Sequence, residues 1–180
     1  LTQYHYFFAL SLPENTKNML HQYSSQLHFP FQKWVHPEDY HLTFAFLGSA
    51  DQVKLEKAVE NVRKGLIGFS SFSLKISSYG TFGRSDSPRI FWIGVEEEPR
   101  LHQLQQIIHK ACNEAGFELE TRPFRPHITI ARKWKGEYPY PKGIESDIDL
   151  PFKADTVALY QTHLDRIPKY EAIETFILHE

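Results

Sequence analysis

Two tetrapeptides, HLTF at His41 to Phe44 and HITI at His127 to Ile130, constrain this chain more than any other feature. In each, polar and apolar residues alternate, which is the period of a half-buried strand. Successive side chains of a strand point to opposite faces, so His41 and Thr43 share one face while Leu42 and Phe44 share the other. His127 and Thr129 stand in the same relation to Ile128 and Ile130. If the apolar members face a helical layer, both His/Thr pairs look onto the opposite, wetter side. A fold that sets these strands side by side brings two imidazoles and two hydroxyls to one cleft.

The rest of the chain interleaves strand and helix signals. YHYFFAL (Tyr4 to Leu10) reads as a buried strand, and Ser11 and Pro13 announce a helix from Glu14 to Leu27. FQKWV and YHLTFAFLG follow as strands separated by the turn HPED. Val53, Leu55, Ala58, Val59 and Val62 recur at helical spacing between Asp51 and Arg63, with Ser49 and Gln52 at the spacing of a capping box. FSLKISSYG and RIFWIGV are two more strands. PRLHQLQQIIHKACNEAG is the clearest helix, with Pro99 at its start, Gly116 just past its end, and His102 and His109 beside its apolar face. A strand near FELET, the strand HITIARKW, then FKADTVALYQTHL and YEAIETFIL as two more strands complete the chain. The pattern predicts an α+β fold, and strand, helix, strand pair occurs twice in succession, as in a duplicated lobe.

Net charge of −2 and a pI near 6.6 give no general attraction to polyanions. A long electrostatic track for nucleic acid is therefore not expected, but a local basic funnel is compatible with these values. One is present: Thr121 to Lys135, TRPFRPHITIARKWK, holds Arg122, Arg125, Arg132, Lys133 and Lys135 and no acidic residue. The single cysteine, Cys112, lies on an apolar helix face and reads as a buried thiol. One cysteine forms no intrachain disulfide, which suits a reducing cytoplasm. No apolar run approaches the ~18 residues of a membrane span. The chain starts at Leu1 without the basic and apolar segments of a signal peptide.

A single HxT in a strand is most often a half-buried surface pair; two copies with matched apolar flanks point to chemistry. Histidine titrates near pH 6.5, so one imidazole can activate a nucleophile while another protonates a leaving group. Threonine hydroxyls can donate to phosphate oxygens. Together they suit in-line displacement at a phosphodiester without a metal. Arg132 is the ambiguous member. It lies an odd number of positions from His127, so an ideal strand turns it away from the site, and it reaches a phosphate only if the strand twists or ends there. His36 reads as a loop residue. Trp134, Tyr138 and Tyr140 can stack a base or cover the core, and Tyr79, Phe82 and Phe7 read more readily as core.

KWVHPEDYHLTFAFLG, YGTFGRSDSPRIFWIGV and LETRPFRPHITIARKW, taken in order, resemble the two-histidine (2H) phosphoesterase superfamily, and most of all the RNA 2′,3′-cyclic phosphodiesterases historically called 2′-5′ RNA ligases. The resemblance spans nearly the whole chain. It implies one bilobal α+β domain over residues 1–180, with two pseudo-symmetric antiparallel-sheet lobes, outer helices and a central cleft carrying both motifs. It implies hydrolysis of a terminal 2′,3′-cyclic phosphate on RNA, or of a related small cyclic nucleotide, to a 2′-phosphomonoester. No metal or other cofactor is expected, and reverse 2′-5′ ligation is open to the same residues. His41 would protonate the departing 3′ oxygen and His127 would activate water, labels that the symmetry of the motifs leaves exchangeable. Thr43 and Thr129 would hold the phosphate with Arg132, which the family also places near it. A monomer in the cytoplasm is expected.

Other chemistries lack their residues. There is no HxH or HExxH for a metal hydrolase and no GxxxxGK[ST] phosphate loop. HITIAR supplies one histidine where a histidine-triad hydrolase needs alternating ones. KWKGE places Lys135 where an ATP-dependent ligase motif needs an acid or amide. The alternative from a different class is a non-catalytic module that binds nucleotides or RNA ends in the same cleft, although binding alone requires no pair of imidazoles.

Overall fold

The computed structural model describes residues 4–180. Among them the chain forms β1 (His5–Ser11), α1 (Glu14–Ser25), β2 (Phe31–Trp34), β3 (His41–Ser49), α2 (Gln52–Gly65), β4 (Phe72–Gly83), β5 (Pro88–Val95), α3 (Pro99–Glu114), β6 (Ile128–Trp134), β7 (Leu150–Ala154), β8 (Thr156–Thr162) and β9 (Tyr170–Ile177). The strands form one 9-stranded sheet in the order β7-β4-β5-β6-β3-β1-β8-β9, with β2 added to β6. Every pairing is antiparallel, as expected for the α+β class.

The sheet has two halves, β7-β4-β5-β6 and β3-β1-β8-β9, and they repeat one plan. In each, a strand runs into a helix that returns to an HxT strand lying beside the first: β1–α1–β3 in one half, β5–α3–β6 in the other. The halves meet where β3 and β6 pair through Leu42 and Ile128. Both side chains are fully buried, and burial of such a side chain is worth about 1.5–3 kcal/mol. Beyond that point β2 rather than β3 accompanies β6, through Lys33 with Arg132 and Trp34 with Ala131. The central seam is therefore short, and the two halves diverge from it.

The apolar faces of the motifs do what alternation predicts. Leu42, Phe44, Ile128 and Ile130 are buried in one core with Leu55, Ala58 and Val62 of α2 and Leu104, Ile108 and Ala111 of α3. The two helices are tied by the Asn61 amide, which donates to the Ala111 carbonyl at 3.1 Å. Cys112 is fully buried there, and desolvation pushes its thiol up to about 12. That leaves it protonated and inert.

Three local expectations change, and a fourth, the HPED turn, holds. The cap of α2 is Asp51, which accepts from the Lys54 amide at 2.9 Å, rather than a Ser49/Gln52 box. No strand forms near FELET, because that chain closes α3 and buries Phe117, whose amide donates to the Cys112 carbonyl at 3.1 Å. FKADTVALYQTHL divides at Asp155 into β7 and β8, which sit in different halves of the sheet. HPED forms a 3-10 turn, with the exposed His36 accepting from the Glu38 amide at 3.1 Å. No helix among the described residues is long and apolar enough to cross a membrane.

Candidate active site

The register at the seam crosses the two motifs. With Leu42 opposite Ile128, continuation of an antiparallel ladder sets His41 opposite Thr129 and Thr43 opposite His127. Facing residues in such a ladder have Cβ atoms about 4.5–5.5 Å apart. All four side chains are partly exposed, whereas their apolar neighbours are buried. Each histidine thus lies across from the other motif's threonine, and the four form one polar patch on the floor of the cleft.

Both imidazoles are oriented in the same way. The Nδ1 of His41 donates to the Asp39 carbonyl at 2.7 Å, and the Nδ1 of His127 donates to the Arg125 carbonyl at 2.7 Å. With Nδ1 protonated, Nε2 is the nitrogen left free to accept a proton. Each ring also sits in an aromatic cradle supplied by its own half. Phe7 lies 4.7 Å and Tyr170 5.1 Å from His41, while Phe82 lies 4.9 Å and Trp92 6.3 Å from His127. The indole of Trp92 lies so close over Gly80 that a Cβ there would come within 2.5 Å of it. Only glycine admits that approach. Phe82 therefore serves the cleft, although its sequence context read more readily as core.

The electrostatics follow from this enclosure. Desolvation dominates at His41 and lowers its pKa to about 4; His127 and Arg132 push the same way, while the Asp39 carbonyl and charge oppose. His127 is lowered for the same leading reason, with Arg132 adding to it. Both rings are thereby held neutral near pH 7 in the open cleft.

A bulge resolves the parity of Arg132. On β6, Thr129 pairs with Trp92 and Ala131 with Phe91, so Ile130 is an extra residue opposite the Phe91–Trp92 step. A bulge inserts one residue and shifts the alternation beyond it. Arg132, paired with Ile90, then shares the face of Thr129 and His127. Its charge acts on His41, His127, Lys169 and Tyr170. The same device follows the first motif: Thr43 pairs with Ala9 and Ala45 with Phe8, leaving Phe44 as the extra residue. Phe46, paired with Phe7, is returned to the cleft face and is 56% exposed. The two halves thus present Phe46 and Arg132 at equivalent positions, one apolar and one cationic.

This pair of bulged HxT strands within a duplicated antiparallel sheet has a match among known proteins. The family model described as the 2'-5' RNA ligase superfamily matches residues 14–166.

The chain belongs to the 2'-5' RNA ligase superfamily.

Among its relatives in that superfamily, an RNA 2',3'-cyclic phosphodiesterase of Geobacillus stearothermophilus is 42% identical over 97% of this chain, which spans 57% of that longer protein. One of Bacillus subtilis is 35% identical over 97% of this chain and 96% of its own length. In structure, the chain is similar to TT0787 of Thermus thermophilus, with a TM-score of 0.81 and 26% identity over 97% of both chains. The fold is also shared with E. coli LigT complexed with 3'-AMP, at a TM-score of 0.84 and 24% identity over 99% of this chain and 100% of that one.

Several residues at this cleft carried no motif signal. Asp39 is buried; its carboxylate accepts from the backbone amides of Lys169 at 3.0 Å and Tyr170 at 3.1 Å. One residue thereby orients His41 through its carbonyl and fixes the turn before β9 through its side chain. Lys169 stands near Arg132, with its ammonium 5.0 Å over the Tyr170 ring; burial, then the Arg132 charge, lower its pKa. Its place on a turn remote in sequence hid it. The aromatics of the 134–140 segment lie elsewhere. Trp134 is buried against Phe31, with its indole N–H donating to the Tyr138 carbonyl at 2.9 Å, and Tyr140 packs on Trp134 at 5.4 Å. Tyr79 donates its hydroxyl to the Glu145 carbonyl at 2.7 Å. Among the described residues, no three His, Cys, Asp or Glu side chains gather as a metal site would require.

Proposed function

We propose that this protein is an RNA 2′,3′-cyclic phosphodiesterase that opens a terminal 2′,3′-cyclic phosphate to a 2′-phosphomonoester by acid–base catalysis between His41 and His127. The observation that carries the reading is the crossed arrangement of two neutral, carbonyl-oriented imidazoles and two hydroxyls on one cleft floor. The names of the relatives supply the substrate class.

The steps follow from the residue chemistry. Thr43 and Thr129 donate to the non-bridging phosphate oxygens, and the Arg132 guanidinium offsets their charge. His127 takes a proton from water as the water oxygen attacks phosphorus opposite the P–O3′ bond. His41 delivers a proton to O3′ as that bond breaks, leaving the phosphate on O2′. These acid and base labels come from the family resemblance; a 5′-hydroxyl in place of water gives 2′-5′ ligation with the same roles, and the reverse reaction, O3′ attacking phosphorus to expel the 5′ oxygen, exchanges them. For His41 to arrive protonated, the bound phosphate anion must raise its pKa from about 4. An anion within ~4–6 Å favours the imidazolium form, as this role requires. The chain acts as one bilobal unit in which a monomer suffices, since both histidines come from one chain, and a cytoplasmic setting fits its single buried thiol.

Two substitutions separate the enzyme from a binding module of the same shape. His41→Ala and His127→Ala should each lower turnover of a 2′,3′-cyclic phosphate by ~10²-fold or more, while affinity for the 2′-phosphate product changes far less. Near-normal rates in either variant would exclude a two-histidine mechanism.

A further inference from the structure

The cleft is polar and symmetric at its centre but not at its ends. From the Leu42–Ile128 pair, residues of 43–46 and 122–127 lead to one end and line it together, while Asp39, Arg132 and Lys169 stand toward the other. The second end holds the turn of Lys169 and Tyr170, pinned there by Asp39. The first opens into a groove of about 630 Å³. Phe46, Phe82 and Phe124 line it together with Arg89, Arg122 and Arg125. Such a volume lies within the range of about 300–1,000 Å³ that accommodates a sizeable ligand.

A cyclic mononucleotide does not account for these arginines. Its only phosphate is the reacting one, which lies between the HxT motifs and Arg132. The Arg122 guanidinium is partly offset by Glu120, at 2.6 and 2.8 Å. Arg89 and Arg125 are exposed, and neither has a carboxylate partner among the described residues, unlike Arg84, Arg100 or Arg166. Cations beside aromatic faces in an open groove are how proteins hold single-stranded nucleic acid, the faces taking bases and the cations the backbone. In RNA ending in a 2′,3′-cyclic phosphate, every other phosphate lies 5′ of the terminal ribose, so the strand can leave the site in one direction only.

We infer that the groove of Phe46, Phe82, Phe124, Arg89 and Arg125 is a subsite for the nucleotides 5′ of the reacting end, with Arg89 and Arg125 on their phosphates. This rests on the phosphodiesterase reading for which end of the RNA enters. It makes the protein selective for oligonucleotides over mononucleotides.

Equilibrium binding tests the groove separately from catalysis. The probes are a trinucleotide and a mononucleotide, each ending in a 2′-phosphate, titrated into the full chain at low and moderate salt. The trinucleotide should bind about tenfold or more tightly at low salt, with a log–log salt dependence steeper by about 0.7 for each added phosphate contact on a single strand. The double variant Arg89→Gln/Arg125→Gln should reduce the length advantage to within about twofold, while Lys57→Gln on the outer face of α2 should preserve it. Equal affinities of wild type for the two probes, or a length advantage that survives the double variant in a chain with wild-type thermal unfolding, would overturn the inference. Turnover of cyclic mononucleotide and cyclic trinucleotide, run in parallel, locates any failure. Equal turnover of both removes the subsite alone, and turnover of neither removes the phosphodiesterase reading.

Discussion

Acid stability exposes the environment of His41 directly. Enclosure holds its pKa at about 4 in the folded chain, against an ordinary value near 6.5. Well above pH 6.5 the ring is neutral in both folded and unfolded chains, so its titration adds nothing to stability. As pH falls through the unfolded value, the unfolded chain takes up a proton that the folded chain refuses, and stability declines until the folded value is passed. At about 1.4 kcal/mol for each pH unit separating the two values, the complete loss is at most about 3–4 kcal/mol. About 2 kcal/mol of it is reached by roughly pH 5. These are upper values, because one edge of the ring meets cleft water, which screens its charge. The perturbation is His41→Gln, which keeps a polar side chain of similar reach and cannot titrate. Urea unfolding of both proteins near pH 7.5 and near pH 5 gives the comparison. Wild type should lose up to about 2 kcal/mol more than the variant over that interval. His127 is lowered in the same direction and is common to both proteins, so it cancels. Parallel pH dependence in the two proteins, or a His41 imidazole that titrates near 6.5 by NMR, would refute the enclosure of His41.

Two further substitutions test how the site is held. Arg132→Gln removes a charge-assisted contact worth about 1.5–3 kcal/mol, so kcat/KM should fall roughly 10- to 100-fold. Both imidazoles should then titrate at higher pH by NMR, because the Arg132 charge depresses each. Asp39→Ala leaves the amides of Lys169 and Tyr170 without their acceptor. It should cost about 2–4 kcal/mol in urea unfolding and speed hydrogen exchange at those two amides.

Most of the fold was legible because burial writes itself as periodicity. The alternation in HLTF and HITI gave the correct inward and outward faces, and the spacing of Leu101, Leu104, Ile108 and Cys112 gave α3 and its buried side. What was not legible depends on partners distant in sequence. The parity of Arg132 turns on a bulge at Ile130, which is defined only by the register against β5. Asp39 looks like a turn residue until the amides of Lys169 and Tyr170 arrive from the far end of the chain. FKADTVALYQTHL reads as one strand because nothing local shows that its two parts join opposite halves of the sheet. Phe82 resembles a core aromatic in sequence, and only the sheet geometry brings it, with Phe46, to the cleft.

The most direct measurement offers the protein an RNA oligomer ending in a 2′,3′-cyclic phosphate, in the presence of EDTA, and identifies the product by chromatography or mass spectrometry with phosphatase sensitivity. The two-histidine account predicts steady turnover to a 2′-phosphomonoester, at the same rate with and without the chelator. Folded protein that yields no product, or that loses its activity only when EDTA is present, would contradict it.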